Sequence, residues 1–444
     1  MDDRRRADPP RVLIVAEHAS AVFGGEAVLP LHYFRQLRRR GVDAWLFVHD
    51  RTRDELLALL PGEKDRMFFV RDTLVHKGLA RIAHRQPGRL ATFVLGFPLQ
   101  MLTQLQQRVQ VRRLLATLRP TVIHQPIPVS PIFPSALFGL GVPVIIGPMN
   151  GGMDYPEGFA YLRRTGDDWL LKVTRRIGLL LNRLIPGKLR ASTLLIANDR
   201  TRRALPTGVR GRLIEVVENG VDLEMWQPPE ASVQATLPHA ADPIQFVFVG
   251  RLVALKCVDV LLDAFREVAR QTDTRLLLIG DGPERPALEA QAKALKLREL
   301  VTFAGWLPQT ECARRVQGSH VLILPSVHEC GGAVVLEAMA LGLPVIAAAW
   351  GGPADYVDAL TGILVPPTSR QGLLEGLKDA MLRLAGDPAL RIRLGESGRL
   401  KVQASFSWET KISQMLEIYE QTATTVEPRG FPFVGGRTRH RTTA

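Results

Sequence analysis

Short apolar runs alternate with amphipathic stretches along nearly the whole chain. The runs predict strands at 11–16, 43–49, 66–70, 121–124, 142–146, 193–197 and 213–217, and a second set at 244–249, 274–279, 300–303, 320–324, 344–348 and 362–365. Between them, apolar residues recur at the helical period. Strand and helix in regular alternation predict an α/β protein built on parallel sheets with helices on both faces. Between the two sets lies a proline-bearing linker, from Glu218 to about Asp242, with Pro228, Pro229, Pro238 and Pro243 near its end. A length of 444 residues with 46% hydrophobic content suits two cores of about 200 residues each. No internal repeat or low-complexity run is visible. The last strong helix, 408–421, follows Phe406-Ser407.

The segment from His328 to Ala340 carries the most chemistry. The strand 320–324 feeds the loop 325–331, and Val334, Val335, Ala338 and Met339 mark a helix starting near Gly332. Glu329 then lies on the loop and Glu337 inside the helix. Free N–H groups of Gly331, Gly332 and Ala333 at such a helix start, beside Cys330, attract phosphate, and glycine admits close approach to the main chain. Four to five residues of helix carry Glu337 roughly 7 Å from the phosphate site, which suits a carboxylate accepting from a ribose diol while Glu329 reaches sugar hydroxyls. About seventy residues upstream the strand 246–249 ends in Gly250 and presents Arg251 and Lys256. Cations at the carboxyl end of a strand complete an anion site for a leaving nucleoside diphosphate. The alternative is a solvated loop with two surface cations.

These motifs resemble the family-four retaining glycosyltransferases of the GT-B fold, of exopolysaccharide or cell-wall type. Asn219-Gly220-Val221-Asp222, Gly250-Arg251 with Lys256, Gly280-Asp281-Gly282-Pro283, Phe303-Ala304-Gly305, Pro325-Ser326, Glu329 to Ala340 and Gly342 to Ile346 come in that family's order and spacing. The N-terminal match is looser: a first strand followed by Gly24-Gly25, His124 at a strand end, and Gly147 to Gly152. Three positions depart from the pattern. Cys330-Gly331 stands where a small residue and an aromatic are usual, Cys257 replaces a glycine, and Pro126 replaces the second histidine of a His-x-His pair.

The resemblance implies two Rossmann-like doubly wound domains facing a cleft. One comprises residues 1–218 with the helix 406–424 crossing back to it, and the other residues 219–405. It implies a nucleotide-sugar donor, UDP- or GDP-linked, held by Gly24, Gly25, Gly250, Arg251, Lys256, Gly280, Asp281, Gly282, Glu329 to Ala333 and Glu337. Catalytic roles fall to Arg251, Lys256, Glu329 and His124. His124 either points into the cleft or is a hydrogen-bonded structural histidine. Asn150, Gly151, Gly152 and Asp154 are candidate contacts for a sugar or lipid-linked acceptor. Gly24-Gly25 is either a phosphate-facing loop or an ordinary turn. Transfer is expected with retention, by front-face attack in which a donor phosphate oxygen takes the acceptor proton. No cofactor or metal is implied, and the chain contains no Asp-x-Asp tripeptide. Rivals are a sugar-nucleotide epimerase or phosphorylase on the same fold and a non-catalytic scaffold of a polysaccharide assembly complex. A dinucleotide oxidoreductase is disfavoured because no Gly-x-Gly-x-x-Gly follows the first strand.

Charge adds one further expectation. Residues 1–200 hold 30 Lys or Arg and 17 Asp or Glu, whereas the remainder hold 27 of each, so the whole excess of +13 lies in the N-terminal half. Residues 170–184 read as a basic amphipathic helix, with more of the same in 74–118. Either an anionic membrane surface or a solvated arginine face accounts for them. Nucleic acid is disfavoured, because the cations alternate with leucine rather than with stacking aromatics. Three cysteines, no zinc spacing and no secretory signal suggest a reducing cytoplasm, with attachment to the inner face of the plasma membrane as an option. The stretch 90–105 is too short and too polar to span a bilayer. Residues 427–444 read as a disordered basic tail.

Overall fold

The computed structural model describes residues 9–22, 25–76, 78, 89–163, 167–228 and 243–424, with the backbone alone for 89–97 and 167–175. The tail 427–444, Gly24 and the distal half of the linker lie outside the described residues.

Among the described residues, thirteen strands form two fully parallel sheets. The first is ordered β3-β2-β1-β4-β5-β6-β7, from β1 (Val12–Val15), β2 (Ala44–His49), β3 (Met67–Val70), β4 (Val122–Gln125), β5 (Val144–Met149), β6 (Thr193–Ile196) and β7 (Arg212–Glu215). The second is ordered β10-β9-β8-β11-β12-β13, from β8 (Ile244–Val249), β9 (Thr274–Ile279), β10 (Val301–Gly305), β11 (Val321–Leu324), β12 (Val345–Ala348) and β13 (Gly362–Val365). The thirteen expected strands are therefore present, their ends moved by a few residues at most. Each sheet reverses its winding beside its first strand, between β1 and β4 and between β8 and β11. In doubly wound sheets the crevice outside the carboxyl ends at that reversal is where ligands bind. The register Ile14↔His124 and Leu322↔Val247 brings those strand ends side by side.

Central parallel strands are covered on both faces, which is why β1 and β11 are buried at every position. Alternate residues of β1 feed opposite cores: Val12 and Ile14 pack with helix Val28–Arg39, Leu13 and Val15 with the opposite face. The C-terminal sheet has its own continuous core.

The last helix, Trp408–Thr424, sits in the first domain's core rather than the second's, through Trp408, Ile412, Met415, Ile418 and Tyr419. Such side chains contribute about 1.5–3 kcal/mol each when fully buried, so this crossing is an integral part of the N-terminal domain. The two strands of the crossover are tied together where they pass: Val221 N–H donates to Phe406 O at 2.8 Å, and Trp408 N–H to Val221 O at 3.0 Å. Gly220 packs on the Trp408 ring, where an added Cβ would lie 3.0 Å from two ring carbons. The stretch 90–105 belongs to a longer helix, Arg89–Leu118, that contains Pro98. No helix among the described residues is long and apolar enough to cross a membrane.

Candidate functional site

A cavity of about 550 Å³ opens between the two sheets. That volume lies in the range of small-molecule sites. The N-terminal wall comprises Gly25, Glu26, His32, Arg35 and Asn150; the C-terminal wall runs through Trp306, Gln309, Cys312, Glu329 to Ala333 and Glu337; Glu218 to Asp222 and Trp408 close the back.

The helix Ala333–Ala340 begins at this cavity. Gly332 precedes it in the left-handed conformation, φ +67°, and a Cβ there would meet Glu329 Cγ at 3.1 Å. Both facts call for glycine. Ala333, first in the helix, lines the cavity with Glu329; the N–H groups of Ala333 and Val334 have no intrahelical acceptor, while Val335 N–H donates back to Gly332 O at 2.9 Å. Glu329 pairs with Lys256 Nζ, the two side chains being 17% and 14% exposed. Lys256 ends the short turn Ala254–Lys256 that follows β8. Cys257, next in line, is held in the left-handed region at φ +50°. A glycine costs less there, which explains the usual residue at that position.

Glu337 keeps a partly exposed face on the cavity, and the rest of its side chain is enclosed. Burial pushes its carboxyl up from 4.5 to about 7. The neighbouring Cys312 thiol rises to about 12, through its own burial and then through the Glu337 charge.

Asn150 joins the two domains at this place. Its Nδ2 donates to Glu218 Oε1 at 2.7 Å and to Cys330 O at 2.8 Å. Gly331 sits against the same group: a Cβ there would lie 2.5 Å from both Glu218 Oε1 and Asn219 Nδ2. No aromatic side chain fits, so Gly331 and the Glu218–Asn150 link are one arrangement. Burial raises the Glu218 carboxyl, against the Asn150 hydrogen bond and the nearby Lys411 charge. Its Oε2 is buried without a partner. Lys411 Nζ donates to Asn219 O at 2.7 Å and to Val217 O; burial lowers its ammonium to about 7.

Several expected residues stand elsewhere. His124 is wholly buried, its Nε2 against Gly147 O at 2.7 Å and its Nδ1 against Tyr419 Oη at 2.7 Å. Burial lowers its pKa to about 4. The ring is thus a neutral strut between β4, β5 and the terminal helix, not a cleft residue, because both faces of β4 are covered. Arg251 is exposed on the loop after β8 and does not wall the cavity. Gly280, Asp281 and Gly282 support that loop from behind: Leu252 N–H donates to Asp281 O at 2.9 Å, and Asp281 pairs with Arg285 at 3.0 Å. Gly250 itself is packed against the Phe248 ring. Gly151 and Gly152 pack against Pro131 and Arg200 O, leaving Asn150 as the member of that group on the cavity. Asp154 is exposed and pairs with Arg163, while its carbonyl accepts from Trp350 Nε1 at 2.8 Å.

Sequence reasoning missed Glu26, His32, Arg35, Glu218, Trp306 and Trp408 as cavity residues. Only Glu218 had a local sign, its place directly before Asn219-Gly220-Val221-Asp222.

A possible metal-binding group among the described residues, His49, Asp72 and His76, lies away from the cavity. His49 Nδ1 accepts from Arg51 N–H at 3.2 Å, which leaves the proton on Nε2, facing Asp72 at 3.2 Å. His76 Nδ1 likewise accepts from Thr73 N–H. His49 thus turns an N–H, not a lone pair, toward Asp72, His76 Nε2 lies 3.2 Å from Thr103 Oγ1, and Arg51 already holds Asp72 at 2.8 Å.

Comparison with known proteins agrees with this geometry. The fold is the two-domain GT-B fold. Sucrose-phosphate synthase from Thermosynechococcus elongatus superposes with a TM-score of 0.63 at 22% identity, over 94% of this chain and 100% of that one. The Anabaena protein HepE in complex with UDP and glucose superposes with 0.60 at 16% identity, over 93% and 100%. In sequence, residues 232–401 match the family described as "Glycosyl transferases group 1". A D-inositol 3-phosphate glycosyltransferase of Kribbella flavida is 34% identical over 248 residues, covering 53% of this chain and 57% of its own length. An alpha-D-kanosaminyltransferase of Streptomyces kanamyceticus is 33% identical over 177 residues, covering 39% and 45%. The chain spans about half the length of the curated relatives it matches.

Proposed function

We propose that this protein is a glycosyltransferase, retaining and metal-independent, of the family-four type. It moves a sugar from a nucleoside diphosphate to a glycan or lipid-linked acceptor in the assembly of a cell-envelope polysaccharide, at the cytoplasmic face of the membrane. The observation that carries this reading is the cavity between two doubly wound sheets, lined by Glu329, the Gly332 helix start and Glu337, with Lys256 reaching it through its pair with Glu329.

In the empty cavity Lys256 and Glu329 neutralise each other. A donor diphosphate at the helix start competes for Lys256 and leaves Glu329 to accept from sugar hydroxyls. Amide donors and the ammonium, already oriented, then stabilise the charge that develops on the leaving diphosphate. Glu337, near neutrality when the cavity is empty, accepts from the ribose diol once ionised. The acceptor enters from the N-terminal side, past Glu26, His32 and Arg35. UDP is the first candidate for the nucleotide, because HepE was crystallised with UDP and glucose; GDP is the second.

The test is thermal unfolding of the purified protein with UDP, GDP and ADP, followed by nucleoside diphosphate release from the matching sugar conjugate with and without acceptor. Binding stabilises by mass action, about 2.7 kcal/mol at a hundredfold excess over Kd. A shift with one nucleotide that is lost in Glu337→Ala supports the site. No shift with any nucleotide refutes it, and turnover without a second sugar favours an epimerase. Activity lost in EDTA would overturn metal independence, and an inverted product, read by NMR of the anomeric proton, would overturn retention.

A further inference from the structure

The helix Asp167–Leu184 is mounted the wrong way round for a surface helix. Over its described side chains the positions turned inward are Gly178 and Asn182. Asn182 is wholly buried, its Nδ2 donating to Ile132 O at 2.9 Å and to Gly178 O at 2.8 Å. Gly178 approaches so closely that a Cβ would stand 3.2 Å from Ile132 O. The outward side carries Ile177, Leu180 and Leu184, 49%, 57% and 68% exposed, at the i, i+3, i+7 spacing of an apolar stripe. Arg176 and Arg183 are exposed beside it.

A soluble surface helix keeps its leucines inward; residues 176–184 of this one turn Gly178 and Asn182 to the protein and Ile177, Leu180 and Leu184 to solvent. The helix Arg89–Leu118 shows the same mixture in part, burying Thr103, Gln104 and Gln107. Gln104 accepts from Ala136 N–H at 3.0 Å, while Leu105 and Val109, 44% and 53% exposed, lie two turns and one turn before the exposed Arg112 and Arg113. The charge around these faces is one-sided. Residues 73–153 contain eight Lys or Arg and no Asp or Glu, and residues 169–198 contain six and none.

We infer that the outward face of the helix Asp167–Leu184, with the exposed end of Arg89–Leu118, docks on an anionic lipid bilayer. Leucine and isoleucine enter the acyl boundary, and the arginines meet headgroup phosphates. A second copy of the chain is the poorer occupant, because it would bring the same positive face to the interface. The inference does not depend on the transferase reading.

The experiment is flotation of the full chain with vesicles of phosphatidylcholine, with and without phosphatidylglycerol. The wild type should float with the anionic vesicles, release them as salt rises, and ignore the neutral ones. Arg176→Ala with Arg183→Ala should weaken binding by about fivefold for each arginine. The triple variant Ile177→Ser, Leu180→Ser, Leu184→Ser should abolish flotation while keeping its circular dichroism and unfolding temperature, since all three side chains are exposed. Unchanged flotation of a folded triple variant overturns the inference, as does equal binding to neutral vesicles. Failure to float combined with concentration-dependent self-association would assign the face to a second copy and overturn it too.

Discussion

Glu337 should be a residue that destabilises the empty protein in order to bind a ligand, and Glu337→Gln exposes this. Its carboxyl stands at about 7 against an ordinary 4.5, because burial disfavours the charged form. A displacement of that size corresponds to about 3 kcal/mol. Between pH 4.5 and about 7 the folded protein keeps a proton that the unfolded chain has released, so rising pH favours unfolding across that window. The penalty is absent below the window and complete above it. Glutamine does not titrate, so groups common to both proteins cancel in the comparison. The variant should match the wild type near pH 4.5 and exceed it by about 1–3 kcal/mol at pH 8, the range reflecting the partners that a buried amide still needs. Thermal unfolding across this pH range is the assay, with about 2–4 °C expected per kcal/mol for a domain of this size. The same variant should bind UDP about tenfold more weakly at pH 8, since a neutral acceptor replaces a charged one. A stability gap that does not change with pH would refute the claim that the empty cavity holds a protonated Glu337.

Lys256→Ala should lower turnover by about a hundredfold or more, the usual effect of removing one oriented charge contact worth about 3–4 kcal/mol; an unchanged single-turnover rate would remove this lysine from the chemistry. Tyr419→Phe takes the hydroxyl away from His124 Nδ1 and should cost about 1–3 kcal/mol of stability with turnover intact. Loss of turnover at unchanged stability would return His124 to the reaction. Gly331→Ala places a methyl 2.5 Å from Glu218 Oε1 and Asn219 Nδ2, so it should cost about 1–3 kcal/mol by prying apart the Asn150–Glu218–Cys330 junction; an unaltered unfolding temperature would show that the two domains are not clasped there.

Much of the C-terminal wall of the cavity was legible in the chain because it is local. Glu329, Gly332 and Glu337 lie within one loop and one helix, so spacing alone brings them near one another, and Lys256, expected after the strand upstream, pairs with Glu329. The N-terminal wall was less legible. Glu26, His32 and Arg35 come from the first turn and helix after β1 and Asn150 from the end of β5, and they meet the loop of Glu329 only after two sheets have packed. Asn150, expected to face an acceptor, lines the cavity and also joins the domains through its hydrogen bonds to Glu218 and Cys330.

What the chain alone determined was the succession of strands and helices, since a parallel strand covered on both faces must be apolar throughout and its helix must be amphipathic at the 3.6-residue period. It also marked the helix start near Gly332, and the structure adds why glycine stands there, a left-handed backbone at φ +67°. Tertiary structure decided the rest. Strand phase left His124 either a cleft residue or a hydrogen-bonded structural one, and it is a buried strut because Tyr419 arrives from 295 positions away. The direction of the helix Asp167–Leu184 was beyond any periodicity argument as well. A hydrophobic stripe states that one face seeks apolar company, but not whether that company is the protein's own core. Here Gly178 and Asn182 take the inner place, through contacts with Ile132 that no local pattern encodes.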